Sequence, residues 1–204
     1  MNADKVKVKP ECIVPEAQQV LDFWFGAPGS PQAGQRRPEW FRKSDAFDAS
    51  IRDRFLGTYE QAATGRLAHW SAAARPLLAL IVVLDQFPRN MFRGSPRSFA
   101  TDNAALAAAE RMVGCGWDLE LAPLERSFAY LPFEHAENRA AQKRSMHLFG
   151  ALAREAAYAD LLEWARKHHV IIERFGRFPH RNAMLGRAST PEEIEFLNQP
   201  GSSF

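Results

Sequence analysis

A chain of 204 residues with 46% hydrophobic and 25% charged side chains has the balance of an ordinary globular domain, and it is long enough to bury a core without a disulfide or metal staple. The formal charge of +2 sets up no strong field, which argues against nucleic acid or a membrane surface as partner. The two cysteines, Cys12 and Cys115, exclude a disulfide framework and a Cys-rich zinc site.

No apolar leader follows the N-terminal lysines, and the longest aliphatic run, Leu77 to Leu84, is far short of the ~18 residues of a membrane span. The expected setting is therefore the cytoplasm. Only Lys5, Lys7, Lys9, Lys43, Lys143 and Lys167 of the 26 basic residues are lysine. Arginine suits two-pronged recognition of carboxylate or phosphate, although codon composition alone would give the same bias.

Residues 1–12 read as a basic arm, and 13–204 as one all-helical domain. Pro15 opens the first helix and Gly26 closes it, with Ala17, Val20, Leu21, Trp24 and Phe25 on one apolar stripe. The stretch from Gly26 to Pro38 is expected to be a mobile loop. Ser44 caps the next helix, whose inner face is Phe47, Ile51, Phe55, Tyr59 and Ala62. A central buried helix is predicted from about Ala72 to Phe87. Asp102 is read as the cap of an alanine-rich helix ending at Gly114. Pro123 opens another, which Pro132 is expected to kink or restart, so that Glu134 and His135 fall in a first turn. Helical pattern continues towards Glu155 and again from Asp160 to Phe175. Thr190-Pro191-Glu192-Glu193 is a capping box. Antiparallel helix pairs, about eight or nine helices in all, are the simplest architecture.

One turn occurs twice. Phe87-Pro88-Arg89-Asn90 leads to Gly94 and Ser98, and Phe178-Pro179-His180-Arg181-Asn182 leads to Gly186 and Ser189. The structural explanation is helix termination, with asparagine in the left-handed conformation and arginine against the last carbonyls. The functional explanation is that the two corners converge and aim Arg89, Asn90, Arg93, Arg177, Arg181, Asn182 and Arg187 at one anion.

Candidate proton carriers are His135, Glu134 and His180. His168, a further ligand-binding candidate, shares a face with Ile171, Ile172 and Phe175 and is expected to point inward. Glu134, His135 and Glu137 lack the three- or four-residue spacing of a helical metal pair, so no metal site is expected there, and no cofactor fingerprint is present.

The segments Asp22-Phe23-Trp24-Phe25-Gly26, Leu84-Asp85-Gln86-Phe87-Pro88-Arg89-Asn90-Met91-Phe92-Arg93-Gly94, Leu131-Pro132-Phe133-Glu134-His135 and Arg174-Phe175-Gly176-Arg177-Phe178-Pro179-His180-Arg181-Asn182 resemble the bacterial family called domain of unknown function nine-two-four, over about Val14 to Phe204. The resemblance implies a tetratricopeptide-like right-handed array of helix pairs and brings no activity with it. Ala136 departs from the serine usual in the family. Two functional readings follow. One is an arginine- and histidine-lined pocket for a small phosphate or carboxylate, with acid–base chemistry. The alternative is a helical-repeat module for a peptide or protein partner, a second copy included.

Overall fold

The computed structural model describes residues 14–203, and all regular structure among them is helical. The basic arm and Cys12 lie outside the described residues. The segments are α1 (Pro15–Phe25), α2 (Asp45–Ala63), α3 (Ala74–Ile81), α4 (Phe87–Met91), α5 (Asp102–Gly114), α6 (Pro123–His135), α7 (Arg139–Leu152), α8 (Ala159–Phe175) and α9 (Pro191–Leu197). A π-helical turn, Val82–Gln86, fuses α3 and α4, so the nine segments form eight rods among the described residues. No described helix is long and apolar enough to cross a membrane.

The predicted stripe of α1 is buried throughout, and Trp24 lies against Trp40 and Phe128 at the centre of the main core. Gly26 ends the helix at φ +88°, where a Cβ would stand 2.6 Å from the backbone N of Ala33. The loop expected to be mobile is folded back here. Gly34 N donates to Phe25 O, and Arg37 Nη1 donates to Phe23 O at 2.8 Å. Gly26→Ala is therefore expected to cost about 2–3 kcal/mol, from positive-φ strain plus displacement of the loop. Urea unfolding measures this, and a loss within ±0.5 kcal/mol, as for an ordinary surface substitution, would contradict the close approach.

Ser44 caps α2 as expected, its Oγ accepting from Phe47 N. The predicted end of the central helix at about Phe87 is corrected. The π turn carries the rod through Pro88 to Met91, with Phe87 N reaching back five residues to Val82 O. Pro88 has no N–H to give Leu84 O, its partner in an unbroken α-helix. Thr101 Oγ1 fills that role, donating to Leu84 O at 2.6 Å.

Three further corrections concern helix ends. Thr101 occupies the N-cap position of α5, and Asp102 is its first residue, with its carboxylate turned elsewhere. Helix α6 runs through Pro132 to His135 without restarting, so Glu134 and His135 sit at a helix C-terminus. Asn138 caps α7, and Gln142 Nε2 donates to Glu134 O at 2.6 Å and to Ala136 O at 3.0 Å, satisfying the terminal carbonyls of α6. Finally, no described residue other than glycine has positive φ, so neither Asn90 nor Asn182 makes a left-handed cap.

Helix α5 packs on α3 and α6, while α7 lies between α6 and α8. Ile171, Ile172 and Phe178 form a second, smaller apolar cluster, against which Phe175 and Phe196 pack. The turn after α8 is thereby pressed back towards the ends of α6 and the π turn.

Candidate polar site

The two repeated turns meet through Asp102. Its Oδ2 accepts from Arg89 Nη2 and from Arg181 Nη1, each at 3.1 Å, and its Oδ1 lies 2.9 Å from Arg89 Nη1. Arg181 is sandwiched, its guanidinium 4.5 Å from the ring centroids of both Phe99 and Phe178. Its side chain is only 7% exposed, yet it makes a single hydrogen bond of the five it has N–H groups for. Burial first, and Arg89 second, lower its pKa to about 10.

Behind Arg89 lies Asp85, fully buried in the π turn. Asp85 Oδ1 is 2.8 Å from His135 Nδ1 and 3.3 Å from Arg89 Nη1, and Oδ2 accepts from Gln86 Nε2. Burial opposes ionisation of this carboxyl, but Arg89 and then His135 overcome it and hold it well below the usual range. An ionised Asp85 fixes Nδ1 of His135 as the N–H side, leaving Nε2 as the basic atom. Burial and Arg89 lower the pKa of His135, so it is a neutral base at pH 7.

Glu134 faces the other way. Its Oε1 is 3.2 Å from His168 Nδ1, which also lies 2.9 Å from Trp164 O. The distance suits an ion pair, but burial drives both groups towards neutrality. Glu134 is raised to about 8 by desolvation and by Asp85, and His168 is lowered to about 3 by desolvation and by His135. At a helix C-terminus Glu134 lacks the favourable dipole expected when it was placed in a first turn.

Linkage fixes the sign of the pH effect. Folded Glu134 keeps its proton up to about 8, whereas the unfolded chain releases it near 4.5, so stability falls as pH rises through that window. His168, and His180 (lowered to about 4 by burial and Arg181), act oppositely, removing stability as pH falls below 6.5. Between pH 6.5 and 8 the Glu134 effect is on the order of 1–2 kcal/mol. Glu134→Gln is expected to flatten the decline in unfolding free energy over this interval. Equal slopes for variant and parent would show that Glu134 is ionised in the folded protein.

Other arginines and asparagines of the turns serve local pairs. Asn90 and Arg93 both donate to Asp48. Asn182 and Arg177 both donate to Glu193. Arg187 is held two-pronged by Glu137, which also accepts from Phe178 N. The turns thus converge, with Arg89 and Arg181 sharing Asp102 while Arg93, Arg177 and Arg187 each have a separate carboxylate.

A cavity of about 220 Å³ opens beside this cluster, lined by Phe99, Asp102, Asn103, His135, Glu137 and Arg181 among others. Glu134, His168, His180, Asn90, Arg93, Arg177, Asn182, Arg187 and Arg89 do not line it. A larger hollow of about 360 Å³ lies elsewhere, against Leu106, Val113, Phe133 and Arg144, away from the histidines. Among the described residues no group of three or more His, Cys, Asp or Glu is arranged to hold a metal ion.

Three carboxylates carry the arrangement without having been singled out by sequence. Asp102 reads as a helix cap, Glu137 as a failed metal ligand, and Asp85 as one residue of a family-like segment. Asp85 alone left a usable signal, as an acid directly following an aliphatic run.

Comparison with known proteins agrees with this architecture. The solved structure of ATU0120, a protein of unknown function from Agrobacterium tumefaciens, superposes with a TM-score of 0.78 at 42% identity, covering 89% of this chain and 96% of that one. No curated protein matches the sequence. The family profile described as bacterial protein of unknown function, DUF924, matches residues 20–201, and the chain belongs to that family.

Proposed function

We propose that this DUF924 protein binds a small polar molecule in the cavity between α5, the end of α6 and the turn after α8, with an anionic group of the ligand against Arg181. The observation that carries the reading is Arg181 itself, a buried guanidinium at the cavity wall whose N–H groups are mostly unused by the protein. Buried donors left without acceptors are costly, so a carboxylate or phosphate oxygen supplied by a ligand is strongly favoured there. His135 supports an acid–base role for the same site. It borders the cavity, and a buried carboxylate orients it, as in other imidazole bases.

Glu134 and His168, reached through His135 rather than through the cavity, act in this reading as packing and positioning groups. Docking of a peptide on a tetratricopeptide-like array rests on architecture alone and is the weaker alternative.

A thermal-shift and calorimetric screen of carboxylates, phosphorylated metabolites and amino acids tests the proposal. A true ligand at a hundredfold excess over its Kd stabilises by about 2.7 kcal/mol. Arg181→Ala is expected to weaken its binding at least tenfold. A library that leaves the melting temperature unmoved, or an Arg181→Ala response equal to that of the parent, defeats the reading.

A further inference from the structure

The charges around the cavity are balanced. Asp85, Asp102 and Glu137 face Arg89, Arg181 and Arg187, while burial keeps His135 and His168 neutral and Glu134 protonated at pH 7. A dianion such as a phosphate monoester would place uncompensated charge in this largely desolvated cluster. A ligand carrying both signs keeps the balance.

The lining has matching parts for each sign. On one side is Arg181, planar, clamped between two rings and poor in protein acceptors. On the other are Asp102, whose Oδ1 lies 2.9 Å from Arg89 Nη1, the Glu137 carboxylate, whose Oε2 accepts from Arg187 Nη1 and keeps a second lone pair, and His135, whose Nδ1 is committed to Asp85 so that Nε2 remains as acceptor. Three acceptors of this kind suit the three N–H bonds of an ammonium group. The cavity, of about 220 Å³, has room for a small metabolite.

We propose that the ligand is a zwitterion of the α-amino acid class, its carboxylate seated on Arg181 and its ammonium group held by Asp102, Glu137 and His135. This rests on the cavity being a ligand site and narrows what occupies it.

The experiment is calorimetry on the full chain with matched probes: free α-amino acids, the carboxylic acids lacking their amino group, the amines lacking their carboxylate, and inorganic phosphate. At least one amino acid is expected to bind, with both of its truncated analogues at least tenfold weaker. Asp102→Asn is expected to reverse the order, weakening the amino acid and strengthening the carboxylic acid, because a negative neighbour of the ammonium group is removed. Arg181→Lys, which retains the charge but not the planar fork, serves where Asp102→Asn fails to fold, and it is expected to weaken the amino acid and the carboxylic acid together. Binding of carboxylic acids or phosphate in preference to every amino acid overturns the zwitterion and leaves the cavity reading standing. If no probe binds, both fall.

Discussion

Replacing Asp85 with alanine is expected to destabilise the protein by about 3–5 kcal/mol, because it leaves the Arg89 guanidinium and the His135 imidazole buried without the carboxylate that joins them. Asp85 is inaccessible to solvent, so water cannot screen the loss. Asp85→Asn separates the two partners. An amide oxygen still accepts from His135 Nδ1, while the charge facing Arg89 is gone, and the cost should fall between alanine and the parent. In that variant the imidazole is expected to take up a proton at lower pH than in the parent, since burial and Arg89 oppose its charged form and Asp85 favours it more than Asp102 does. Urea unfolding and the NMR titration of His135 provide the two readings. A loss below about 1 kcal/mol would place Asp85 among ordinary exposed ion pairs and disprove its buried bridging role.

The second large effect is expected at Asp102. Asp102→Ala puts Arg89 and Arg181 next to each other with no charge between them, at an expected cost of about 2–4 kcal/mol. The figure is below that for Asp85 because Arg89 retains a second carboxylate. The distinctive outcome is a dependence on anions. Sulfate should raise the melting temperature of Asp102→Ala more than that of the parent, whereas chloride at equal ionic strength should not. Equal responses to the two salts would mean that the guanidinium groups separate once the carboxylate is removed.

The helices were legible because apolar periodicity and capping residues are local, so the stripes of α1 and α2 and the Thr190–Glu193 box lie where the pattern puts them. Errors gathered at proline. Pro88 and Pro132 signal breaks, and a sequence does not reveal that Thr101 will serve a carbonyl that proline cannot, or that Pro132 will be accommodated within α6. The site was half legible. Arginine density in the repeated turn pointed to Arg89 and Arg181. Their joining by Asp102 depends on residues 79 apart in sequence and is a tertiary fact. Placing Glu134 in a first turn also reversed its expected electrostatics, since burial and the neighbouring Asp85, neither visible in the local pattern, raise its pKa instead.

The π turn at Val82–Gln86 has an evolutionary and engineering corollary. A helix holding one surplus residue is rotated by about 100° beyond that point relative to an uninterrupted one. Excising Val83 would leave a hydrophobic rod, yet everything downstream would swing round, carrying Arg89 off Asp102 and Asn90 off Asp48. Polar clustering in this protein thus depends on an odd count of residues, and a single-codon deletion there is a harsher lesion than most substitutions within the same rod.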